Sequence, residues 1–293
     1  LLYRWLIQDN DNKEILEPQL NRAFENVIVP LHDNIQSQYK LCLPFHEYSF
    51  FNNFLRLLRA MIKKEKDLKN IDAEIIFCII WSIGAMTNGP DRPKFDQHLR
   101  ELMNKAGYQF PATETVFDYC VEEKEWVKWS DKLPEKLEAS GSDMIVQTVE
   151  TTRHQYVINK LVMNGISVLV SGVTGSGKTV TLQQYLQSDA TLVPNPMTFS
   201  AQTTANGVQD LIDSKYDRRS QGVFGPPVDH RAIIFVDDIN MPRKEQYGAQ
   251  PPIELLRQLL SQGGWYDRKK RTFKTFVDVQ LMCSMRNPEG PEQ

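Results

Sequence analysis

The sequence of 293 residues predicts an α/β protein in which a parallel sheet, covered by helices on both faces, follows an all-α region. Two observations favour this fold class. In the second half of the chain, apolar segments of strand length alternate with helical segments, as in sheets buried on both faces. In the first half, apolar residues recur at helical spacing. We place the boundary in the stretch "SGSD" at residues 140–143, which gives predicted domains of residues 1–140 and 141–293.

Three helices are predicted in the first half. Residues 49–70 carry apolar side chains at i, i+3, i+4 and i+7 spacing, with basic residues between them. Residues 73–86 are apolar nearly all round, which is typical of a central helix. Residues 92–107 begin beside a proline and end at Gly107, a residue type that favours helix C-caps.

The charged and aromatic residues 121–143 are predicted to connect the two domains. Two interpretations of Trp126 and Trp129 are open. They could form a binding surface, or they could pin the connector to its own core. The second interpretation is favoured, because tryptophan side chains are mostly buried in folded proteins.

The second half is predicted to alternate helices and strands. The predicted helices lie in residues 156–165, 179–187, 205–216 and 252–262. The predicted strands lie in residues 166–170, 197–204, 232–236 and 276–285.

The segment "GVTGSGKT", residues 172–179, satisfies the P-loop pattern G-x-x-x-x-G-K-[ST] between a predicted strand and a predicted helix. Glycines let the backbone wrap a phosphate, and the helix that follows adds its positive N-terminal dipole. Lys178 is expected to neutralise the β- and γ-phosphates, and the hydroxyl of Thr179 to ligate Mg²⁺. The candidate residues for binding ATP or ADP are Gly172, Val173, Thr174, Gly175, Ser176, Gly177, Lys178, Thr179, Val180 and Asp237.

Two adjacent aspartates follow a later apolar strand in "IIFVDD". A P-loop needs a carboxylate at the end of a neighbouring strand, so Asp237 is predicted to share Mg²⁺ with Thr179. Asp238 is the candidate catalytic base, although it is one methylene shorter than the more common glutamate. Slow hydrolysis and binding without hydrolysis both stay open. Asn240 could orient water or the γ-phosphate, or it could cap a turn.

Composition and charge argue against several other classes. The net charge of −3 gives no electrostatic basis for a nucleic-acid or membrane partner. Four cysteines and five histidines are scattered without metal-ligand spacing, which argues against a zinc or catalytic-thiol site. The cysteines lie in apolar settings and are expected to be reduced, buried thiols of a cytosolic protein. The basic residues within 267–274 could bind an acidic partner, but a solvated loop or hairpin is favoured.

The chain also resembles a known family. The segments "VDDINMP" and "YGAQPPIELLRQ", within residues 222–270, resemble the third AAA+ module of dynein heavy chains, particularly the ciliary (axonemal) branch. Residues 199–227 do so too. Residues 145–154 are similar to the loop that borders the adenine in that module. Residues 77–102 are similar to the helical lid between the second and third modules.

This resemblance implies an AAA+ P-loop NTPase fold with a preceding lid, within a motor whose six modules form one ring. It implies a regulatory module that binds ATP or ADP with Mg²⁺ and contributes to microtubule-based motility in the axoneme. The implied partners are neighbouring modules of the same heavy chain, dynein light and intermediate chains, and microtubules. The implied location is cytoplasmic or cytoskeletal, in the ciliary axoneme.

Two rival hypotheses are kept: an active ATPase module completed by an arginine of its neighbour, and a purely structural segment of the ring. The sequence ends in "RNPEGPEQ" instead of the family's Pro/Gly-rich run ending in Arg, so Asn287 is only a weak candidate for the sensor-1 residue. We expect the chain to be a C-terminally incomplete piece of a longer protein. Its first residues, which lack an initiating Met, are not expected to form a signal peptide.

Overall fold

The computed structural model describes residues 13–63, 68–133 and 147–286. The chain divides into two compact units, residues 1–164 and 165–293. The domain boundary predicted at residues 140–143 lies outside the described residues. No helix in the described ranges is both long and apolar enough to cross a membrane.

The first unit is mainly helical. Its described α-helices are α1 (Lys13–Ala23), α2 (Val29–Gln38), α3 (Glu47–Ile62), α4 (Asp72–Ser82), α5 (Arg92–Ala106) and α6 (Val149–Val162). A π-helical segment, Phe24–Ile28, joins α1 to α2. The three helices predicted at residues 49–70, 73–86 and 92–107 are therefore confirmed as α3, α4 and α5, but α3 ends at Ile62 and α4 at Ser82, before their predicted ends.

Helix α4 supplies the centre of this unit's core. The six consecutive residues from Ile75 to Ile80 are each at most 1% exposed, which explains why the segment is apolar all round. Burying each large aliphatic side chain contributes about 1.5–3 kcal/mol relative to leaving it exposed. After α4, the chain turns at Gly84, where an added Cβ would lie 2.6 Å from a ring carbon of Phe95 and 3.2 Å from one of Phe117.

The all-α prediction for the first half is wrong at residues 119–128, which form the antiparallel hairpin β1 (Tyr119–Glu122) and β2 (Glu125–Lys128). The turn residues Glu123 and Lys124 both have positive φ angles, of 47° and 68°. Two such residues in a row make the tight turn whose twist matches a hairpin. Neither residue is of the Asn or Gly type that marks this turn, so no local residue pattern predicts it.

Trp129 follows this hairpin and is fully buried, with Nε1 donating to the carbonyl of Phe117 at 3.0 Å. Trp126 packs on Phe110 with ring centroids 4.5 Å apart. The interpretation that these tryptophans pin the segment to its own core is confirmed.

The second unit contains the parallel sheet. Its strands are β3 (Val168–Gly172), β4 (Leu192–Thr198), β5 (Asp217–Ser220), β6 (Val223–Gly225), β7 (Arg231–Asp237), β8 (Gly264–Tyr266), β9 (Phe273–Phe276) and β10 (Val279–Arg286). Its helices are α7 (Lys178–Gln187), α8 (Ala205–Asp213) and α9 (Pro251–Gln262). Among the described residues, the parallel strands lie in the order β3-β10-β7-β4.

The predicted α/β fold class is confirmed, and β7 shows why its sequence is apolar throughout. Ala232, Ile234 and Val236 lie in one buried cluster with residues of α8 and α9. The alternating residues, Ile233 and Phe235, face the other side of the strand and are buried as well.

Strand β4 begins at Leu192, earlier than the strand predicted within residues 197–204. Pro194 and Pro196 interrupt the apolar pattern, which is why the first part of the strand was missed. In the described sheet β4 is an edge strand, where proline is tolerated because one side of the strand needs no ladder donor.

A second sheet, of order β5-β6-β9-β8 in the described residues, was not predicted. The strand predicted at residues 276–285 is divided between the two sheets, because Phe276 ends β9 and Val279 begins β10. The basic residues 267–274 lie in the β8–β9 hairpin, so the hairpin interpretation is confirmed. Asp267 fixes this turn by accepting the backbone N–H groups of Lys269 and Lys270 at 2.9 and 2.7 Å.

The cysteines differ in accessibility. Cys78, Cys120 and Cys283 are buried and Cys42 is exposed, so the expectation of burial is wrong for Cys42. Burial raises the pKa of Cys120 to about 11 and of Cys283 to about 12, and it raises the pKa of Cys78 as well. All four are free thiols.

Gly84→Ala should destabilise the helical unit by about 1–3 kcal/mol, because the new methyl group would overlap a buried aromatic ring. The free energy of unfolding from urea denaturation, followed by circular dichroism, measures this change. Gly89→Ala is the matched control: it lies in a similar short 3₁₀ turn of the same unit, with no atom within 4 Å of the new Cβ. Equal stabilities of the two variants would contradict the close approach of Gly84 to the Phe95 ring.

Under native conditions at pH 8, iodoacetamide should alkylate Cys42 much faster than the other three cysteines. The thiolate is the reactive form, and a raised pKa keeps the buried thiols protonated until the pH approaches that pKa. Peptide mass spectrometry after timed quenching gives the rate for each cysteine. Rapid native modification of Cys283 would contradict its burial.

Candidate functional site

The site is built at the edge of the sheet where the parallel strands end. Gly172 closes β3, Asp237 closes β7, and Ser284 lies near the end of β10, which runs between them. The register pairs Ser284 with Val170 on one side and Cys283 with Val236 on the other. Carboxyl ends of parallel strands are a common place for ligand sites in α/β folds.

The glycines of the loop have definite conformational roles. Gly175 and Gly177 adopt φ angles of +80° and +78°, which would cost an ordinary L-residue about 1–2 kcal/mol each. The backbone N–H and the hydroxyl of Ser176 both donate to the carbonyl of Val173, at 3.3 and 2.8 Å, and so close the turn. Gly177 then caps the start of α7.

Helix α7 begins at Lys178, so the first backbone N–H groups of the helix lie beside the loop without intrahelical acceptors. The Lys178 ammonium is folded over the loop, and Nζ donates to the carbonyls of Gly172 at 2.9 Å and Val173 at 2.7 Å. Lysine and helix terminus together concentrate positive charge at this point. Val173 in the loop is 65% exposed, and Val180 in the first turn of α7 is 45% exposed.

Thr179 and Asp237 meet across the sheet edge, although β10 lies between β3 and β7, so the prediction that Asp237 ends a strand next to the P-loop strand is wrong. The Thr179 hydroxyl donates to both carboxylate oxygens of Asp237, at 2.9 and 3.1 Å. A hydroxyl and a carboxylate are hard oxygen ligands of the kind that Mg²⁺ prefers, so the residues present fit that ion. In the described part of the chain, no group of three or more His, Cys, Asp or Glu side chains could hold a metal. The remaining Mg²⁺ ligands at this place would therefore be water or phosphate oxygens.

Asp238 leaves the strand in a left-handed conformation, with φ of 55°. Aspartate tolerates this region better than most residues do. The backbone N–H of Asp238 donates to the Ser284 hydroxyl at 3.3 Å. Asn240 lies exposed in the turn that follows, where its carbonyl accepts Gln250 Nε2 at 3.1 Å. The weak sensor-1 candidate, Asn287, lies outside the described residues.

Ser284 is the site residue that the sequence analysis missed. Its hydroxyl donates to Asp237 Oδ1, and the side chain is fully buried. The available signal was a polar residue near the end of the apolar strand "QLMCSM". That signal gains meaning only once β10 is known to lie beside β7.

Comparison with known proteins agrees with this architecture. A family model described as the P-loop containing dynein motor region matches residues 133–293. A second model, described as the dynein heavy chain AAA lid domain, matches residues 20–131.

The individual proteins that the chain resembles include several dynein axonemal heavy chains. Human dynein axonemal heavy chain 1 is 40% identical over 254 residues, which cover 78% of this chain and 6% of that protein. Human dynein axonemal heavy chain 2 is 35% identical over 298 residues, which cover 95% of this chain and 7% of that protein. Rat dynein axonemal heavy chain 12 is 36% identical over 241 residues, which cover 74% of this chain. The chain thus spans less than a tenth of the length of these relatives.

Proposed function

Because the chain belongs to the dynein heavy chain family, and its P-loop region is therefore a nucleotide-binding one, we propose that it regulates an ATP-driven, microtubule-based motor. Residues 141–293 form the α/β core of the third AAA+ module, and residues 1–140 form the lid and connector that precede it. The module binds ATP or ADP with Mg²⁺ and hydrolyses ATP slowly or not at all. Its nucleotide state gates the cycle of the motor.

The observation that supports this proposal is the contact between the Thr179 hydroxyl and the Asp237 carboxylate, at 2.9 and 3.1 Å. It joins the P-loop helix to the end of β7, two strands away from β3, where a phosphate-bound cation would need both groups. Lys178 is within reach of the same loop, since Nζ already donates to its carbonyls. These acceptors can be exchanged for phosphate oxygens, which are stronger partners for an ammonium group.

Each residue then has a definite task. The backbone N–H groups of residues 172–180 cradle the phosphates, and Lys178 neutralises the charge on the β- and γ-oxygens. Thr179 and Asp237 hold Mg²⁺, which when bound supplies charge neutralisation at the phosphates. Asp238 orients the attacking water and accepts its proton. Its short side chain places the carboxylate about one C–C bond further back than a glutamate would, and this distance favours retention of ATP over hydrolysis.

The partners and the location follow from the same proposal. Neighbouring AAA+ modules of the same heavy chain complete the site, while light and intermediate chains and microtubules belong to the parent complex. The motor works in the ciliary axoneme. A nucleic-acid or membrane partner forms no part of the proposal, given a net charge of −3.

In a heavy-chain motor whose other nucleotide sites are disabled, Lys178→Ala should weaken ATP binding roughly 30-fold or more. Loss of one partner of a charged hydrogen-bonded pair costs about 2–5 kcal/mol. Titration with a fluorescent ATP analogue measures the affinity. Lys215→Ala, which removes an exposed lysine of the same unit, is the control and should leave the affinity unchanged.

In the same motor, Asp238→Glu should raise single-turnover hydrolysis roughly 10- to 100-fold, because it advances the carboxylate towards the attacking water. Quenched-flow measurement of ADP formation provides the rate. Fast turnover already present with Asp238, and lost in Lys178→Ala, would favour the active-ATPase alternative. Absence of nucleotide binding by the unaltered site would favour the purely structural one.

A further inference from the structure

We propose that Ser284 is a positioning residue that orients Asp237 towards a nucleotide-bound Mg²⁺ and fixes the turn that carries Asp238. This inference rests on the proposed function, because it concerns the same nucleotide site. It assigns a role to a residue of the central strand β10 that neither loop motif contains.

The first observation is that the Ser284 hydroxyl is buried with its hydrogen-bonding capacity used on both sides. It donates to Asp237 Oδ1 and accepts the backbone N–H of Asp238 at 3.3 Å. Ser284 is 0% exposed. A buried hydroxyl is costly unless it is paired, and here both of its partners belong to the two adjacent aspartates.

The second observation concerns the geometry of the Asp237 carboxylate. It accepts hydrogen bonds from two directions: from Thr179 on the P-loop helix and from Ser284 on the neighbouring strand. A Thr179 hydroxyl that turns an oxygen lone pair towards Mg²⁺ also changes the direction in which it donates to the Asp237 carboxylate. The hydrogen bond from the Ser284 hydroxyl to Asp237 is unaffected by that change, because Ser284 lies on β10 within the sheet. Outer groups that hold a ligating carboxylate in this way typically contribute 10- to 100-fold to metal affinity.

The third observation is that Ser284 also anchors the turn after β7 through its main chain. Its carbonyl accepts the backbone N–H of Ile239 at 3.0 Å, next to the bond that the backbone N–H of Asp238 donates to the Ser284 hydroxyl. Asp238 has a positive φ of 55°, a conformation that needs support from its surroundings. A single residue therefore holds both the metal ligand and the backbone of the candidate base.

Ser284→Ala in the heavy-chain motor, with its other nucleotide sites disabled, tests this proposal. The readout is the Mg²⁺ concentration that gives half-maximal tight binding of a fluorescent ATP analogue, together with the affinity for the same analogue in EDTA. We expect the half-maximal Mg²⁺ concentration to rise roughly 10- to 100-fold, with the affinity in EDTA unchanged within about two-fold. Ser284→Cys, which keeps the size but has a weak donor, should shift the Mg²⁺ dependence in the same direction.

Ser167→Ala is the matched control. The Ser167 hydroxyl accepts the backbone N–H of Leu281 at 3.2 Å, at the far end of the same strand β10. Its removal should leave the Mg²⁺ dependence unchanged.

Two results would overturn the proposal. An unchanged Mg²⁺ dependence in both Ser284 variants would show that the hydroxyl does not orient the ligand. Equal loss of affinity with and without Mg²⁺ would show a purely structural role. A wild-type motor that binds no analogue at this site would instead overturn the proposed function. Mg²⁺-dependent binding by the wild-type motor, with the same Mg²⁺ dependence in the Ser284 variants, would overturn the Ser284 proposal alone.

Discussion

The parallel alignment of β3, β10 and β7 is the constraint on which the rest of the site depends. Parallel strands end at the same edge, so residues more than a hundred positions apart in sequence, such as Gly172 and Ser284, lie within one small region. An antiparallel arrangement would send the end of every second strand to the opposite edge. Parallel sheets are usually covered on both faces, and the two central strands β7 and β10 are accordingly buried along most of their length.

Within this frame, the P-loop and strand β7, which β10 separates from β3, are coupled through a few short polar contacts. Thr179 joins α7 to Asp237, and Ser284 joins Asp237 to the central strand. Ser284 is fully buried, and Thr179 and Asp237 are partly buried. Hydrogen bonds to a carboxylate are stronger in such surroundings than in water, so small displacements of any member carry a larger energetic cost. This coupling gives a physical route by which nucleotide at the loop can influence the turn at Asp238.

The parts of this molecule that could be predicted from sequence are those with local signals. The P-loop spacing located Lys178 and Thr179, and the apolar run before Asp237 placed that carboxylate at a strand end. Ser284 could not be found in this way, because its role depends on the register between two strands distant in sequence. The β1–β2 turn at Glu123 and Lys124 was missed for a different reason: charged residues there adopt positive φ angles that the sequence does not favour.

The prolines of β4 affect how this domain can meet other chains. An exposed strand edge is a template on which a foreign strand can add, and such addition is the first step of many aggregation routes. Pro194 and Pro196 are two residues apart, so both remove a donor from the same side of β4, the side that does not pair with β7. A strand that approached this side of β4 would lack two successive backbone N–H donors to pair with. This edge is thereby protected against misassembly during synthesis and folding.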